Sequence, residues 1–246
     1  MKEKGIMVFK IAFALCVIGS IILTPFYLEA QKNKGIKSLT LKMLDSSCFM
    51  GAGILSVFIA DNHSEFAKFM LIGLAFSWVG DFLLHVIKPK ILNAFGFVSF
   101  MVAHVFYIIA YNTAAQSIEP GRAFLQPWGI LVPVIAIIIY TVFTLKKMQF
   151  EKWALAASVA YGCVILTMLA KAADLAVLIL QTGTANGVIS AILLFSGAVL
   201  FVASDLTISF LIFDKRYKKN YPLKIFNIAT YFAGQLLLAS LILTVK

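Results

Sequence analysis

Eight long apolar runs, roughly 6–28, 38–60, 66–86, 92–112, 126–145, 153–180, 187–213 and 223–244, divide this 246-residue chain. Crossing the hydrocarbon layer as a helix takes about 20 mostly apolar residues. Lipid offers the backbone no hydrogen bonds, so a span is either a helix or part of a closed barrel. The runs are continuous, not ten-residue stretches of alternating polarity, which excludes the barrel. Composition agrees: 61% of residues are hydrophobic and 13% charged, against about half and a quarter in soluble domains. The expected fold is all-α, a polytopic transmembrane bundle of about eight helices. The connections are short, so residues 1–246 are expected to form a single integral membrane domain.

Segment 2 carries Lys42, Asp45, Ser46 and Ser47 in its first half, and segment 6 is long enough to tilt or to end near Lys171. The N-terminal run resembles a signal peptide but lacks a small-x-small cleavage site before Pro25–Leu28, and is read as a retained first helix.

The net charge of +10 would point to nucleic acid in a soluble protein. Here the basic residues lie between apolar runs, where they anchor loops at an anionic membrane surface, so no nucleic-acid partner is expected. With eight spans, one side of the membrane receives Lys2, Lys4, Lys10, Lys68, Arg122 and Lys246. The other receives Lys32, Lys34, Lys37, Lys42, Lys88, Lys90, Lys146, Lys147, Lys152, Lys215, Arg216, Lys218, Lys219 and Lys224, with Lys171 set aside. The richer side is assigned to the cytoplasm, which places both termini outside the plasma (inner) membrane. Cys16, Cys48 and Cys163 lie singly in apolar runs and read as small packing residues, not disulfides or metal ligands.

Ionisable residues deep in a span cost about 2.5–3.5 kcal/mol each on insertion scales and mark functional sites. Two stand out. Asp81 follows Gly80 in segment 3, and Asp205 follows Ser204 in segment 7. Both segments are odd-numbered and cross in the same direction, and both acids lie in the later part of their run. They are therefore expected at similar depth, close enough to face each other. Two carboxylates in a site of low dielectric resist ionising together. One then serves as an acid while the other remains a base or cation stabiliser. That division suits acid-promoted cleavage through an oxocarbenium-like state, and it suits proton-coupled transport equally well.

Polar residues recur on the neighbouring spans. His104, Tyr107 and Tyr111 share one helical face of segment 4, and Tyr231 and Gln235 fall one turn apart in segment 8. Ser77 precedes Asp81 by one turn and His85 follows it by one. His104 reads as a site residue. Tyr107, Tyr111 and Tyr231 read equally as site residues or as packing and interfacial anchors. His85, beside Lys88 and Lys90, reads as surface, and His63 as a loop residue. Lys42 with Asp45 and Lys171 with Asp174 are i, i+3 pairs whose mutual neutralisation explains them without function. No phosphate-binding glycine loop, Gly-x-Ser-x-Gly elbow or His-rich zinc set is present, and neither a metal nor an organic cofactor is implied.

Four stretches resemble one known family. They are Phe76–Leu84 (FSWVGDFLL), Phe95–Tyr111 (FGFVSFMVAHVFYIIAY), Gly197–Phe210 (GAVLFVASDLTISF) and Ala229–Leu241 (ATYFAGQLLLASL). Together they are similar to the YhhN-like lysoplasmalogenase family of eight-span membrane proteins, with Thr230, Tyr231 and Gln235 in matching places. The resemblance runs from about residue 35 onward. Where the family usually carries Lys-Pro-Leu, this chain reads Lys37-Ser38-Leu39. The resemblance implies hydrolysis of the vinyl ether bond of a lysophospholipid, giving a fatty aldehyde and a glycerophospho-alcohol. On that reading Asp81 and Asp205 share the acid and cation-stabilising roles. His104, Tyr231, Tyr107, Ser77, Ser204 and Gln235 support them, and Lys37 holds the substrate phosphate. The alternatives left open are a proton-coupled transporter, with segments 3 and 7 as remnants of a parallel repeat, and a non-catalytic lipid-binding membrane protein.

Overall fold

The computed structural model describes residues 2–33, 35–85, 91–147, 152–214 and 216–245, and these form eight α-helices with no strand among the described residues. In chain order they are α1 (Lys2–Ala30), α2 (Ile36–Ala60), α3 (Glu65–His85), α4 (Ile91–Ile118), α5 (Pro127–Lys147), α6 (Lys152–Gln181), α7 (Gly187–Phe213) and α8 (Tyr221–Leu241). The protein is a polytopic all-α bundle. The eight helices fall on the eight apolar runs. α6 is continuous through Lys171, so the possible early end of that run does not occur. Lys34, Lys88, Lys90, Lys215 and Lys246 of the charge count lie outside the described residues.

Seven helices are long and apolar enough to cross a membrane; α8 is not among them. About eight helices were expected, and eight are present; α8 buries Thr230, Tyr231, Gly234 and Gln235 on its inner face and exposes Ile225 and Phe226.

The packing partners define a closed ring. α2 packs on α3, α3 on α4, α4 on α6, α6 on α7, α7 on α8, and α8 back on α2. α1 lies outside the ring against α2 and α8, and α5 lies outside against α6. This order explains the exposures: α1 and α5 present Ile18, Ile21, Phe26, Ile135, Ile138 and Ile139 outward, as lipid-facing helices do. Local signals set the helix ends. The Asn220 side chain accepts from Leu223 N at 2.9 Å, with Pro222 in the first turn of α8. Asn62, in the α2–α3 turn, donates to the carbonyls of Ile242 and Val245 at 2.8 and 2.6 Å. That staple ties the turn to the chain's C-terminal end.

Apolar helices in lipid gain nothing from hydrophobic exclusion against one another, so close backbone approach and van der Waals contact hold them. A close backbone crossing lies between α7 and α8. A Cβ added at Gly234 would stand 3.1 Å from both Gly197 O and Phe201 N, which are backbone atoms that cannot rotate away. Gly234→Leu is therefore expected to destabilise the bundle by about 1–3 kcal/mol through overpacking. Thermal unfolding in mild detergent checks this against Gly5→Leu, whose site has nothing within 4 Å and which should leave the midpoint unchanged.

Candidate functional site

All six helices of the ring contribute to one cleft. It is lined by Lys42 of α2, Asp81 and Leu84 of α3, Phe97 and Phe100 of α4, and Tyr161 of α6, with Ser204, Asp205 and Ile208 from α7 and Asn227, Ile228 and Tyr231 from α8. About 410 Å³ of space lies within it, counting its open mouth. Asp81 lies one turn from the C-terminal end of α3, and Asp205 two turns from that of α7. Lys42 and Asn227 stand at the corresponding depth above the starts of α2 and α8. The cleft therefore belongs to the end of the bundle that carries the α1–α2 and α7–α8 connections. Two acids 124 positions apart in sequence share it because parallel crossings put the same part of each helix at one level.

The surroundings of the two acids differ. Asp81 is almost fully buried at 2% exposure, and every polar neighbour it has is a donor. The Lys42 ammonium stands 2.9 Å from its Oδ1. Its Oδ2 accepts from Ser46 Oγ at 2.5 Å and from Tyr231 Oη at 2.7 Å. Three donors converge on its two oxygens, so Asp81 is saturated as an acceptor. Lys42 is in turn enclosed by rings: its Nζ lies 4.5 Å from the Tyr231 centroid, 4.6 Å from Phe232 and 5.3 Å from Tyr27. Those faces stabilise an ammonium that water reaches poorly.

Asp205 has one firm donor, Tyr161 Oη at 2.7 Å from Oδ2, and a second nitrogen, His104 Nε2, at 3.3 Å from the same oxygen. The orientation of His104 follows from its other side. Nδ1 lies 2.6 Å from the Phe100 carbonyl, and a carbonyl only accepts, so Nδ1 carries a proton and donates it. Nε2 is then left facing a carboxyl oxygen. The contact is an ion-pair distance and not an aligned hydrogen bond. His104 is fully buried against the Phe201 ring at 4.5 Å, which leaves the imidazole no other partner for that nitrogen among the described residues. The cleft thus holds one carboxyl group saturated by donors and one that faces a tyrosine hydroxyl and an imidazole nitrogen.

Most of the residues singled out from sequence converge here. Asp81, Asp205, Ser204 and Tyr231 line the cleft, and His104 abuts Asp205. Tyr107, Ser77 and Gln235 form a buried layer behind it: Tyr107 Oη donates to Gln235 Oε1 at 3.0 Å and lies 3.4 Å from Ser77 Oγ. Tyr107 and Tyr111 are completely buried, so neither anchors the bundle at a membrane interface. Lys37 is the exception. It is exposed in the first turn of α2 and is not among the cleft-lining residues. His85 is half-buried, not a surface residue, with Nε2 2.9 Å from Ser38 Oγ and Nδ1 3.5 Å from Tyr27 Oη.

Three polar cleft residues, Lys42, Tyr161 and Asn227, escaped the sequence reading as site groups, as did Ser46, which donates to Asp81. Lys42 was paired with Asp45 because they are three positions apart. The structure instead directs Lys42 to Asp81. Asp45 turns to α1, where Ser20 and Thr24 donate to its two oxygens. The usable signal was the coincidence of a lysine in segment 2 with an unpaired aspartate in segment 3. Tyr161 and Asn227 carried no local pattern. The second i, i+3 pair lies outside the cleft: Lys171 and Asp174 are 3.8 Å apart, and Arg122 of the α4–α5 connection grips Asp174 with two hydrogen bonds of 2.7 and 3.1 Å. Those bonds push the Arg122 guanidinium above its ordinary pKa, so this clamp keeps its charge throughout the working pH range.

Removing one member of a buried ion pair leaves the other charge uncompensated, at a cost of about 3–5 kcal/mol. Lys42→Met is expected to lose stability on that scale, and Lys42→Met with Asp81→Asn to recover most of it. Denaturant or thermal midpoints of the two single variants and the double variant, compared as a cycle, check the coupling.

Comparison with known proteins then bears on what such a cleft is for. The YhhN family model matches residues 37–242, which takes in all six helices of the ring and leaves α1 outside. A relative from Dictyostelium discoideum named "Lysoplasmalogenase homolog" is 30% identical over 171 residues. The match covers 63% of this chain and 54% of the relative, so the chain spans about half the length of the curated relative it matches. No solved structure matches.

Proposed function

This chain belongs to the YhhN family, and we propose that it is a membrane hydrolase that cleaves the vinyl ether bond of lysoplasmalogens. The observation that carries the reading is the unequal setting of the two acids in one cleft: Asp81 saturated by donors, and Asp205 facing Tyr161 Oη and His104 Nε2. The relative's name and the family membership support the substrate class.

Vinyl ether hydrolysis begins when a proton adds to the outer carbon of the double bond. The electron pair of that bond forms the new C–H bond, and the positive charge spreads over the inner carbon and the ether oxygen. On our reading Asp205 donates this proton, held ready by Tyr161 and His104. The oxocarbenium ion develops in a cleft whose fixed carboxylate is Asp81. Preorganised charge of that kind acts where charge appears in the transition state. Water adds to the inner carbon and gives up a proton to the Asp205–His104 pair, which restores the resting state and leaves a hemiacetal. The hemiacetal collapses to fatty aldehyde and glycerophospho-alcohol. Leu84, Phe97, Phe100, Ile208 and Ile228 supply apolar wall for the chain next to the reacting carbons. In the orientation set by the lysine and arginine asymmetry, the cleft lies toward the cytoplasmic leaflet. Lys37, at the start of α2 on that same side, is placed to meet a phosphate at the interface.

The test is aldehyde release by protein purified in mild detergent, using choline and ethanolamine lysoplasmalogens. Asp205→Asn is expected to lower turnover by about 10²–10⁴-fold, the usual contribution of a positioned acid. Asp81→Asn is expected to lower it as well, with Lys42 left without a counter-charge. A saturated alkyl-ether lysolipid, which has no double bond to protonate, should give no product. Absence of aldehyde from folded wild-type protein on both head groups would remove the substrate assignment.

A further inference from the structure

Asn227 is a polar cleft residue with no part in the proton chemistry above, and its orientation is fixed. Its Nδ2 lies 2.7 Å from the Ser204 carbonyl oxygen and 2.9 Å from Ser204 Oγ. A carbonyl only accepts, so the amide nitrogen must face it and the amide oxygen must face away. Among the described residues that oxygen has no protein donor. Ser204 immediately precedes Asp205, and Asn227, Ser204 and Asp205 line the same cleft. The result is a neutral hydrogen-bond acceptor, locked in place beside the proton donor. Asp81 cannot substitute for it, because three donors already occupy its oxygens.

A neutral acceptor answers a specific chemical problem in this reaction. A lysoplasmalogen carries a free hydroxyl on the glycerol carbon next to the one bearing the vinyl ether. Once the outer vinyl carbon is protonated, two nucleophiles compete for the inner carbon. Water gives the hemiacetal and then aldehyde. The neighbouring hydroxyl oxygen instead closes a five-membered ring, forming a C–O bond and passing its proton to the carboxylate. The product is a cyclic acetal, an isomer of the substrate, with no water consumed and no aldehyde released. Well-oriented intramolecular attack has effective molarities of about 10⁵ M or more, beyond any concentration water attains. A substrate whose hydroxyl reaches that orientation would therefore cyclise.

Building on the vinyl ether reading, we propose that Asn227 Oδ1 accepts a hydrogen bond from the glycerol 2-hydroxyl and holds that oxygen rotated away from the oxocarbenium carbon. Asn227 thereby directs the cation to water and makes the free hydroxyl a recognition element. An amide oxygen suits the task because it is too weak a base to take the hydroxyl proton and drive ring closure. A carboxylate at this position would assist cyclisation instead.

The experiment is the product ratio, aldehyde against cyclic acetal, from choline lysoplasmalogen with wild type and Asn227→Ala, resolved by chromatography and mass spectrometry. Wild type is expected to give aldehyde almost alone, and Asn227→Ala to divert about a tenth or more of its turnover to the acetal. A folded, active Asn227→Ala with the wild-type ratio overturns the proposal, since a merely structural role would change the rate and not the partition. A second arm needs no turnover: binding of a saturated alkyl-ether lysolipid against its 2-O-methyl analogue. Wild type should prefer the free hydroxyl by about fivefold, as one neutral hydrogen bond provides, and Asn227→Ala should show no preference. Equal binding of both by wild type overturns the proposal even where the variant is inactive. Failure of wild type to make either product would instead sink the vinyl ether reading, and the binding arm alone would then decide the hydroxyl contact.

Discussion

The ion pair between Lys42 and Asp81 governs the interior of this bundle. An ammonium and a carboxylate meet at 2.9 Å among helices otherwise built of apolar residues, and each makes the other tolerable there. The pair joins α2 to α3, and Tyr231, which donates to Asp81 and stacks its face on Lys42, adds α8. Three helices thus converge on one charge pair. The same interaction makes the two acids of the cleft unequal: Asp81 is saturated by three donors, while Asp205 has Tyr161 and His104 for neighbours.

The ring of six helices gives the cleft its position. A cleft between two helices of an open bundle would face lipid along its whole length. Here α2, α3, α4, α6, α7 and α8 enclose it, and α1 and α5 remain as outer helices whose exposed faces are apolar. α8 shows the consequence: its inner face carries Thr230, Tyr231 and Gln235, all buried, and Asn227 lines the cleft. The family match, residues 37–242, takes in the ring together with α5.

Much of this was legible in the sequence. Long apolar runs specify helices in lipid, and aspartates within them carry an energetic cost that marks them, so the helix count, Asp81, Asp205 and His104 could all be found by reading along the chain. Pairing across helices was less legible. Lys42 and Asp45 are neighbours by helical periodicity, and periodicity alone assigns them to each other. The actual partners, Asp81 for Lys42 and Ser20 with Thr24 for Asp45, come from helices packed against α2, and packing is a property of the whole bundle. Tyr161 and Asn227 were invisible for a related reason. A tyrosine or an asparagine in a span is unremarkable until the residue across the interface is known, and each of these faces the Ser204-Asp205 step of α7. Lys37 lies exposed in the first turn of α2, while Lys42, slightly more than one turn deeper, enters the cleft.

A carboxyl group that is to donate a proton inside a membrane must be kept from losing it to the nearest charge, and the two acids of this cleft divide that difficulty. A lone aspartate beside Lys42 would be held as carboxylate and could donate nothing. A lone aspartate without any cation nearby would give a developing oxocarbenium ion no fixed counter-charge. Placing Lys42 on Asp81 and His104 on Asp205 separates the requirements. On the proposed reading the ammonium pairs with Asp81, while the imidazole, a group whose proton is easily exchanged, stands beside the acid assigned as donor. The depth of the site follows from the same logic. Asp81 and Asp205 sit one and two turns from the ends of their helices and not at the helix midpoints, a level that on the proposed reading meets an amphiphile's polar-apolar junction.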